Sequence, residues 1–400
     1  MRESSFFKTF RKSLSSPYRV AIVLFVLLAG SEAALGQIPG MDAEFAGAGA
    51  RSMAMGSAFI GLADDATASE FNPAGLQRLR RPELALQFRL VDERRTEHRF
   101  AKSLREVFEG NGQPRSGTFH DTYEDISFAA FTYPMQRLTL SLSQMSPIYF
   151  ERTYFDRATV WGQDIVFGRA QDVSLRNYGL SAAYSLTDTL SLGVTGKFGR
   201  FTYDEKNSWG TDDVLRDNTL GANFGVLWKF HPWWSLGAVY KTSQHVEGSF
   251  EGTRIKLRIP ETWGTGLAFH PNDRWRFLAD VDYINWSNYD DSLAVNRNNV
   301  TGKLEWKHQD VTRYHLGSEY LLGHFWNTGV FLRAGYMLED SNARYYAGSD
   351  PYFLKAAPKP DDIDHYSVGL GFARQRFQLD FACDYSEEKT QVIASTVIYF

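Results

Sequence analysis

The chain has 400 residues, of which 15% are aromatic, and a formal net charge of −4. A charge so small over this length gives no sign of nucleic-acid binding. Its one cysteine, Cys383, excludes an intrachain disulfide framework and a cysteine metal cluster. The mean hydropathy is below zero, which excludes a helical membrane protein but allows a β-barrel, whose apolar outer face and polar lumen cancel in the average.

The N-terminus has the features of an export signal. Several basic residues precede the uncharged run 20–31, which is shorter than the 20 or so residues that a spanning helix needs. Ala34-Leu35-Gly36 then fits the small-x-small rule for cleavage before Gln37. The sequence therefore predicts a signal peptide over residues 1–36.

Residues 47–76 are rich in Gly, Ala and Ser and predict a compact plug of short helical turns. Asn72 precedes a proline and so is biased away from the helical region, which ends any helix begun earlier. Asn72 can then cap a second short helix that has Pro73 at its first position. The adjacent Asp64 and Asp65 suggest a cation site or, as we favour, a helix N-terminal cap.

From residue 83 onward, apolar side chains alternate with polar ones, which is typical of β-strands with one buried and one solvated face. The pattern predicts about fourteen strands, at 83–91, 126–133, 138–142, 178–186, 190–198, 220–230, 234–240, 263–269, 275–283, 314–320, 330–336, 366–372, 377–385 and 392–400. An even number is what single-chain bacterial barrels have.

The connections between these strands alternate in length. Tight turns are predicted near residues 135, 188, 232, 272, 324 and 375. Long loops are predicted at 92–125, 151–171, 204–217, 247–258, 287–312 and 340–362. Short periplasmic turns and long outer loops are typical of an outer-membrane barrel, whereas a soluble β-sandwich would not sort its loops in this way. We therefore expect an all-β transmembrane barrel over residues 83–400, in the bacterial outer membrane.

The segment 47–76 also resembles the hatch of the FadL-type family of outer-membrane transporters for hydrophobic compounds. The resemblance rests on Gly49-Ala50-Arg51, on the run 55–59, on 63–66 with Ala68, and on 72–76, with Ser57 where a second glycine is usual. It implies a hatch of residues 37–82 that plugs the barrel lumen. It also implies passive uptake of hydrophobic molecules such as long-chain fatty acids or aromatic hydrocarbons.

A second function is open, because relatives that serve a secretion system (type IX) as shuttle or anchor have a similar hatch motif. The resemblance implies outer-membrane lipids and a hydrophobic ligand as partners, with secretion proteins as the alternative. We expect a monomer that binds no nucleic acid.

Candidate site residues follow from these two regions. The hatch candidates for a gate are Asp64, Asp65, Asn72, Pro73, Ala74 and Gly75. The outer loops carry apolar clusters that either capture a ligand or pack on one another as a cap. Their candidate capture residues are Phe100, Leu104, Phe108, Trp161, Tyr352 and Phe353. The nine histidines show no metal-ligand spacing, so we expect no catalytic residues, no metal and no cofactor.

A candidate lateral exit lies in the third strand, where the alternation fails after Leu142. Gln144 falls on the lipid-facing side and Pro147 removes a ladder N–H, so a local break there would leave a gap in the wall. The distance from Leu138 favours a simpler interpretation, in which the strand ends at Pro147 and the next loop begins.

Overall fold

The computed structural model describes residues 47–99, 115–160, 163–207, 212–250, 253–288, 306–307, 309–341, 345–346, 359 and 361–400. Fourteen antiparallel strands form a closed barrel, as the sequence predicts. They are β1 (Glu83–Arg99), β2 (Arg115–Met135), β3 (Leu138–Val160), β4 (Gln163–Ser185), β5 (Leu190–Asn207), β6 (Asp212–His231), β7 (Trp234–Lys241), β10 (Thr262–Phe269), β11 (Trp275–Ile284), β13 (Val311–Phe325), β14 (Thr328–Glu339), β16 (Ile363–Arg374), β17 (Phe377–Tyr385) and β18 (Lys389–Tyr399).

The barrel closes where its first strand pairs with its last. β1 and β18 stay in register from Glu83 opposite Tyr399 to Glu93 opposite Lys389. Along each strand, exposed apolar side chains such as Phe88, Leu180 and Leu220 alternate with buried polar ones. This alternation places an apolar surface against lipid and a polar surface in the lumen.

Four of the predicted long loops, at 92–125, 151–171, 204–217 and 247–258, are wrong in the residues that the structure describes. Residues 92–99 belong to β1 and 115–125 to β2, while 204–207 belong to β5 and 212–217 to β6. The chain at 151–171 belongs mostly to β3 and β4, which remain paired from Ile148 opposite Leu175 to Val160 opposite Gln163. The region 247–258 lies in a separate hairpin of β8 (Gln244–Phe250) and β9 (Thr253–Ile259). A further two-stranded sheet joins β12 (Trp306–Lys307) and β15 (Tyr345–Tyr346).

The described part of the hatch, from Gly47, lies inside the barrel and contains helices α1 (Ala50–Met53) and α2 (Ala68–Phe71). A 3-10 helix follows over Pro73–Arg78, with Asn72 in an extended conformation at its N-cap and its side chain accepting from the Ala74 N–H. This cap agrees with the sequence prediction. The signal peptide predicted for residues 1–36 lies outside the described residues.

Among the described helices, none is long and apolar enough to cross a bilayer.

Candidate functional site: the lumen and its openings

The hatch packs directly on the backbone of the barrel at glycines. A β-carbon added to Gly193 of β5 would overlap the Pro73 and Ala74 backbone. At Gly225 of β6 it would overlap the Asn72 side chain, and at Gly237 of β7 the Ile60 carbonyl. These strands thus have no side chain where the hatch contacts them, which allows the hatch backbone to lie against the strand backbone.

Asn72 joins the hatch to itself and to the wall. It is fully buried, and its side-chain amide donates to the Ile60 carbonyl and to the Val226 carbonyl of β6, both at 3.0 Å. Its Oδ1 accepts the Ala74 N–H at 3.2 Å. Every polar atom of this side chain is therefore bonded, and one of the bonds reaches the barrel.

A charge network fixes the opposite end of the hatch. The Arg51 guanidinium lies 2.6 Å from Asp64, and two of its nitrogens donate to Glu319 of β13 at 2.9 and 3.2 Å. Glu319 also accepts from Arg276 and Arg333, and Arg333 donates to Asp380 at 2.7 Å. Burial of paired charges is tolerated when all partners are present, so this network holds residues 51–65 in one position.

Asp64 and Asp65 serve different neighbours. Burial alone would raise the pKa of Asp64, but Arg51 outweighs it and holds this pKa below its ordinary value. Asp65 accepts the Thr67 N–H at 2.9 Å, which begins the turn into α2, and burial raises its pKa although Arg51 opposes this. Both carboxylates thus have partners within the hatch, and no group of metal-ligating side chains occurs among the described residues.

A cavity lies between the hatch and the outer half of the lumen. Apolar parts of its lining include Ile60 and Phe71 of the hatch, Ile259 of β9 and Ile284 of β11. The rest is a belt of charged residues held in pairs or close to one another. The belt is Glu70, Lys197, Lys241, Asp282, Arg313, His315, Glu339, His365 and Asp384.

Above this cavity, the lumen becomes apolar. A buried cluster joins Ile148, Phe150, Val173, Leu175, Phe201, Tyr203, Leu215, Val246, Leu257, Ile259, Ile284, Trp286 and Val311. The β8–β9 hairpin contributes three of these residues and folds inward against β6. Gln244 at its base exchanges amide hydrogen bonds with Asn177 of β4 at 3.0 and 3.3 Å. The hairpin therefore covers the cavity from the outside.

The wall opens between β2 and β3 at the height of the cavity. Their pairing runs from Met135 opposite Leu138 to Phe128 opposite Met145 and then stops. Within the described strands, residues 115–127 and 146–160 do not pair with each other. Met145 and Pro147, on the edge of this opening, also line the cavity.

The structure corrects the simpler reading of Pro147 as a strand end. β3 continues to Val160, and its register with β4 shifts between Met145 and Ile148. Pro147 therefore lies in a bulge, which is one of the few places in a sheet that tolerate proline. Gln144 is half-buried and donates to the Ser146 hydroxyl at 3.1 Å.

The structure does not bring all predicted residues together. Of the hatch candidates, Asn72, Pro73 and Ala74 lie at the hatch–barrel contact. Asp64 and Asp65 have partners within the hatch, and Gly75 lies against Ala63 of the hatch. Gln144 and Pro147 lie at the wall opening. The candidate capture residues Phe100, Leu104, Phe108, Trp161, Tyr352 and Phe353 fall outside the described residues. The inward face of β1, where Gln87, Arg89 and Glu93 lie, was not predicted to belong to the site. These residues alternate with the apolar side chains from which the first strand was predicted.

Comparison with known proteins agrees with this architecture. The family model of outer membrane protein transport proteins (OMPP1/FadL/TodX) matches residues 33–398. No curated protein matches the chain significantly by sequence. Among solved structures, a Pseudomonas aeruginosa FadL homologue has a TM-score of 0.61 at 14% identity, with 87% of this chain and 96% of that chain covered. The Ralstonia pickettii toluene transporter TbuX has a TM-score of 0.60 at 14% identity, with 89% and 99% covered.

The P. putida toluene transporter TodX has a TM-score of 0.59 at 14% identity, with 89% and 99% covered. At these identities the solved structures show a common fold, and the family match covers nearly the whole chain. The family consists of outer-membrane channels for hydrophobic compounds, which confirms the expectation of a transport protein and not an enzyme. The chain belongs to the outer membrane protein transport family (OMPP1/FadL/TodX).

Proposed function

We propose that this protein is a monomeric channel for passive uptake of long-chain fatty acids or similar amphiphiles with an acidic head group. In this proposal residues 1–36 direct export, and the hatch, residues 37–82, blocks the lumen until it shifts. The observation that carries the proposal is the order of three features along the barrel: a buried apolar cluster in the outer half, a cavity on the hatch, and a wall opening that adjoins this cavity.

The charges around the cavity favour an acidic head group over a bare hydrocarbon. Lys241 reaches the cavity close to the Asp282 carboxylate but donates no hydrogen bond to any described residue, whereas the neighbouring Lys197 is paired with Glu70 at 3.1 Å. One terminal nitrogen of Arg313 is likewise buried without a hydrogen-bond partner in the described structure. A carboxylate bound among these donors would satisfy them, while an aromatic hydrocarbon would leave them unsatisfied.

The wall opening supports a lateral exit into the membrane. The bulge at Pro147 ends the β2–β3 pairing, so the ligand would leave the cavity past Met145 and Pro147 and not through the hatch. Replacing Gln144 with Leu and Pro147 with Thr would restore the strand pattern. We expect this double variant to fold and to lose most uptake; uptake equal to the parent would show that the ligand leaves elsewhere.

Uptake of a fluorescent long-chain fatty acid by a strain that lacks its own transporter tests the proposal directly. We expect the parent protein to restore uptake. Lys241→Met should reduce it about tenfold, the effect of one lost charge-assisted hydrogen bond. Lys229→Met is the matched control, because Lys229 lies exposed at the far end of β6.

Two other outcomes would overturn the proposal. Uptake of toluene without uptake of the fatty acid would identify a hydrocarbon channel. Loss of surface proteins from a deletion strain, with uptake of neither compound, would identify the secretion shuttle.

A further inference from the structure

The wall opening coincides with irregularities on both of its sides. β3 is bulged between Met145 and Ile148, and the β1–β2 register shifts between Gln87 and Arg89. Gln87 is paired with Phe128, the last residue of β2 that pairs with β3. The two irregularities therefore lie at one height, and backbone groups that would otherwise bond across the wall are freed there.

One of these freed groups is bonded by an arginine from two strands away. Arg89 of β1 is 3% exposed, and its guanidinium binds Asp125 of β2 through two hydrogen bonds of 2.9 and 3.0 Å. The same guanidinium donates to the carbonyl of Ser146 in the β3 bulge at 3.2 Å. Arg89 thus reaches behind β2 and replaces the missing ladder bond with a side-chain bond.

A second bridge lies farther out on the same strands. Arg152 of β3 is 3.3 Å from Glu93 of β1, and its guanidinium lies 3.8 Å from the centre of the Phe150 ring. Tyr123 of β2 also contacts Tyr149 of β3 edge to face, with ring centres 5.7 Å apart. The inner side of the opening is therefore crossed by side chains of both arginines.

We propose that Arg89 is the clamp that holds this opening closed between transport events. A guanidinium has enough donors to bind a carboxylate in a fork and a carbonyl at the same time, which an ammonium cannot do with the same geometry. The bond to Ser146 is a single contact, so it can open while the fork on Asp125 keeps Arg89 in place. This inference rests on the proposed function for its role in transport, but the closing itself is independent of any ligand.

Labelling of a cysteine at residue 146 measures the closing directly. The parent for this test carries Cys383→Ala and Ser146→Cys, which leaves the 146 carbonyl intact. Since Ser146 is 3% exposed, we expect slow reaction with a small maleimide in detergent micelles. Arg89→Gln should raise the labelling rate about tenfold, as expected for the loss of a charge-assisted hydrogen bond.

Arg89→Lys keeps a charge beside Asp125 and therefore serves if the Gln variant fails to fold. It should label at an intermediate rate. Arg274→Gln is the matched control, because Arg274 is exposed in a short turn. Labelling at the parental rate in every folded Arg89 variant would overturn the clamp.

Fatty-acid uptake separates this inference from the proposed function. If the parent takes up the fatty acid and Arg89→Lys raises the rate of maleimide labelling, both the proposed function and the clamp stand. If the parent takes up nothing but the Arg89 variants label faster, the clamp stands and the proposed function fails. Uptake by the parent with unchanged labelling of the variants rejects the clamp alone.

Discussion

At the scale of single residues, Asn72 connects the hatch to the barrel through its side chain. Its three hydrogen bonds reach Ile60, Ala74 and Val226, and the side chain is fully buried. Asn72→Ala removes the cap and the two amide hydrogen bonds to the Ile60 and Val226 carbonyls. We expect the hatch to be destabilised by about 2–4 kcal/mol, with the barrel still folded.

Single-channel recording in planar bilayers checks this expectation. Asn72→Ala should show frequent conducting events where the parent stays closed. Asn72→Asp keeps the acceptor for the Ala74 N–H but turns a carboxylate oxygen toward the Ile60 and Val226 carbonyls, so it should conduct at least as often as Asn72→Ala. Conductance identical to that of the parent in the Ala variant would show that the hatch does not depend on this side chain.

The glycines of the wall give a second prediction at this scale. Gly193 and Gly196 lie three residues apart on β5. A β-carbon on Gly193 would overlap the Pro73 and Ala74 backbone. A β-carbon on Gly196 would meet nothing within 4 Å. Gly193→Ala should therefore displace the 3-10 helix of the hatch and raise conductance. Gly196→Ala should behave like the parent. Equal behaviour of the two variants would contradict backbone contact between hatch and β5.

At the scale of elements, the β8–β9 hairpin depends on apolar burial inside the barrel. Leu257 is 2% exposed in the outer cluster, while the adjacent Lys256 faces outward. Leu257→Asn buries an amide without a partner and costs about 1–3 kcal/mol, which is enough to detach a short hairpin. Hydrogen exchange of residues 244–259 should become faster in this variant. Lys256→Asn, the control, should exchange like the parent.

Local signals made some elements predictable and left others undetermined. The Asn72–Pro73 cap follows from two adjacent residues, so the sequence predicts it and the structure confirms it. Pro147 is compatible with a strand end or a bulge, and the choice depends on pairing with Leu175 and Asn177 of β4, which are distant in the sequence. The inward fold of the β8–β9 hairpin depends on Leu215 and Asn177, which belong to other strands.

At the scale of the whole molecule, alternation and loop parity were sufficient to predict a closed barrel of fourteen strands. Both signals repeat along the chain, so an error in one segment changes little. The Arg89 contact with Asp125 and Ser146 could not be predicted in the same way, because it requires the relative position of three strands at one height. The number of strands follows from a local pattern that recurs in every strand, whereas the side-chain arrangement in the lumen depends on contacts between distant strands.

The position of the membrane along the wall gives the last prediction. On β6, Phe224 and Asn218 both face outward and are exposed, but Phe224 lies mid-strand among apolar neighbours. Asn218 is opposite the outward-facing Arg200, which marks the edge of the apolar band. An arginine facing lipid near the midplane costs about 2–4 kcal/mol, and near the interface about 0–1 kcal/mol.

We therefore expect Phe224→Arg to lower the free energy of unfolding from lipid vesicles by the larger amount and Asn218→Arg by the smaller. Urea titration followed by tryptophan fluorescence measures both values on one strand and one face. If the two variants lose equal stability, the apolar band does not end between residues 218 and 224. The edge of the apolar band would then lie beyond residue 218 of β6, and the wall opening at Pro147 would lie deeper in the bilayer.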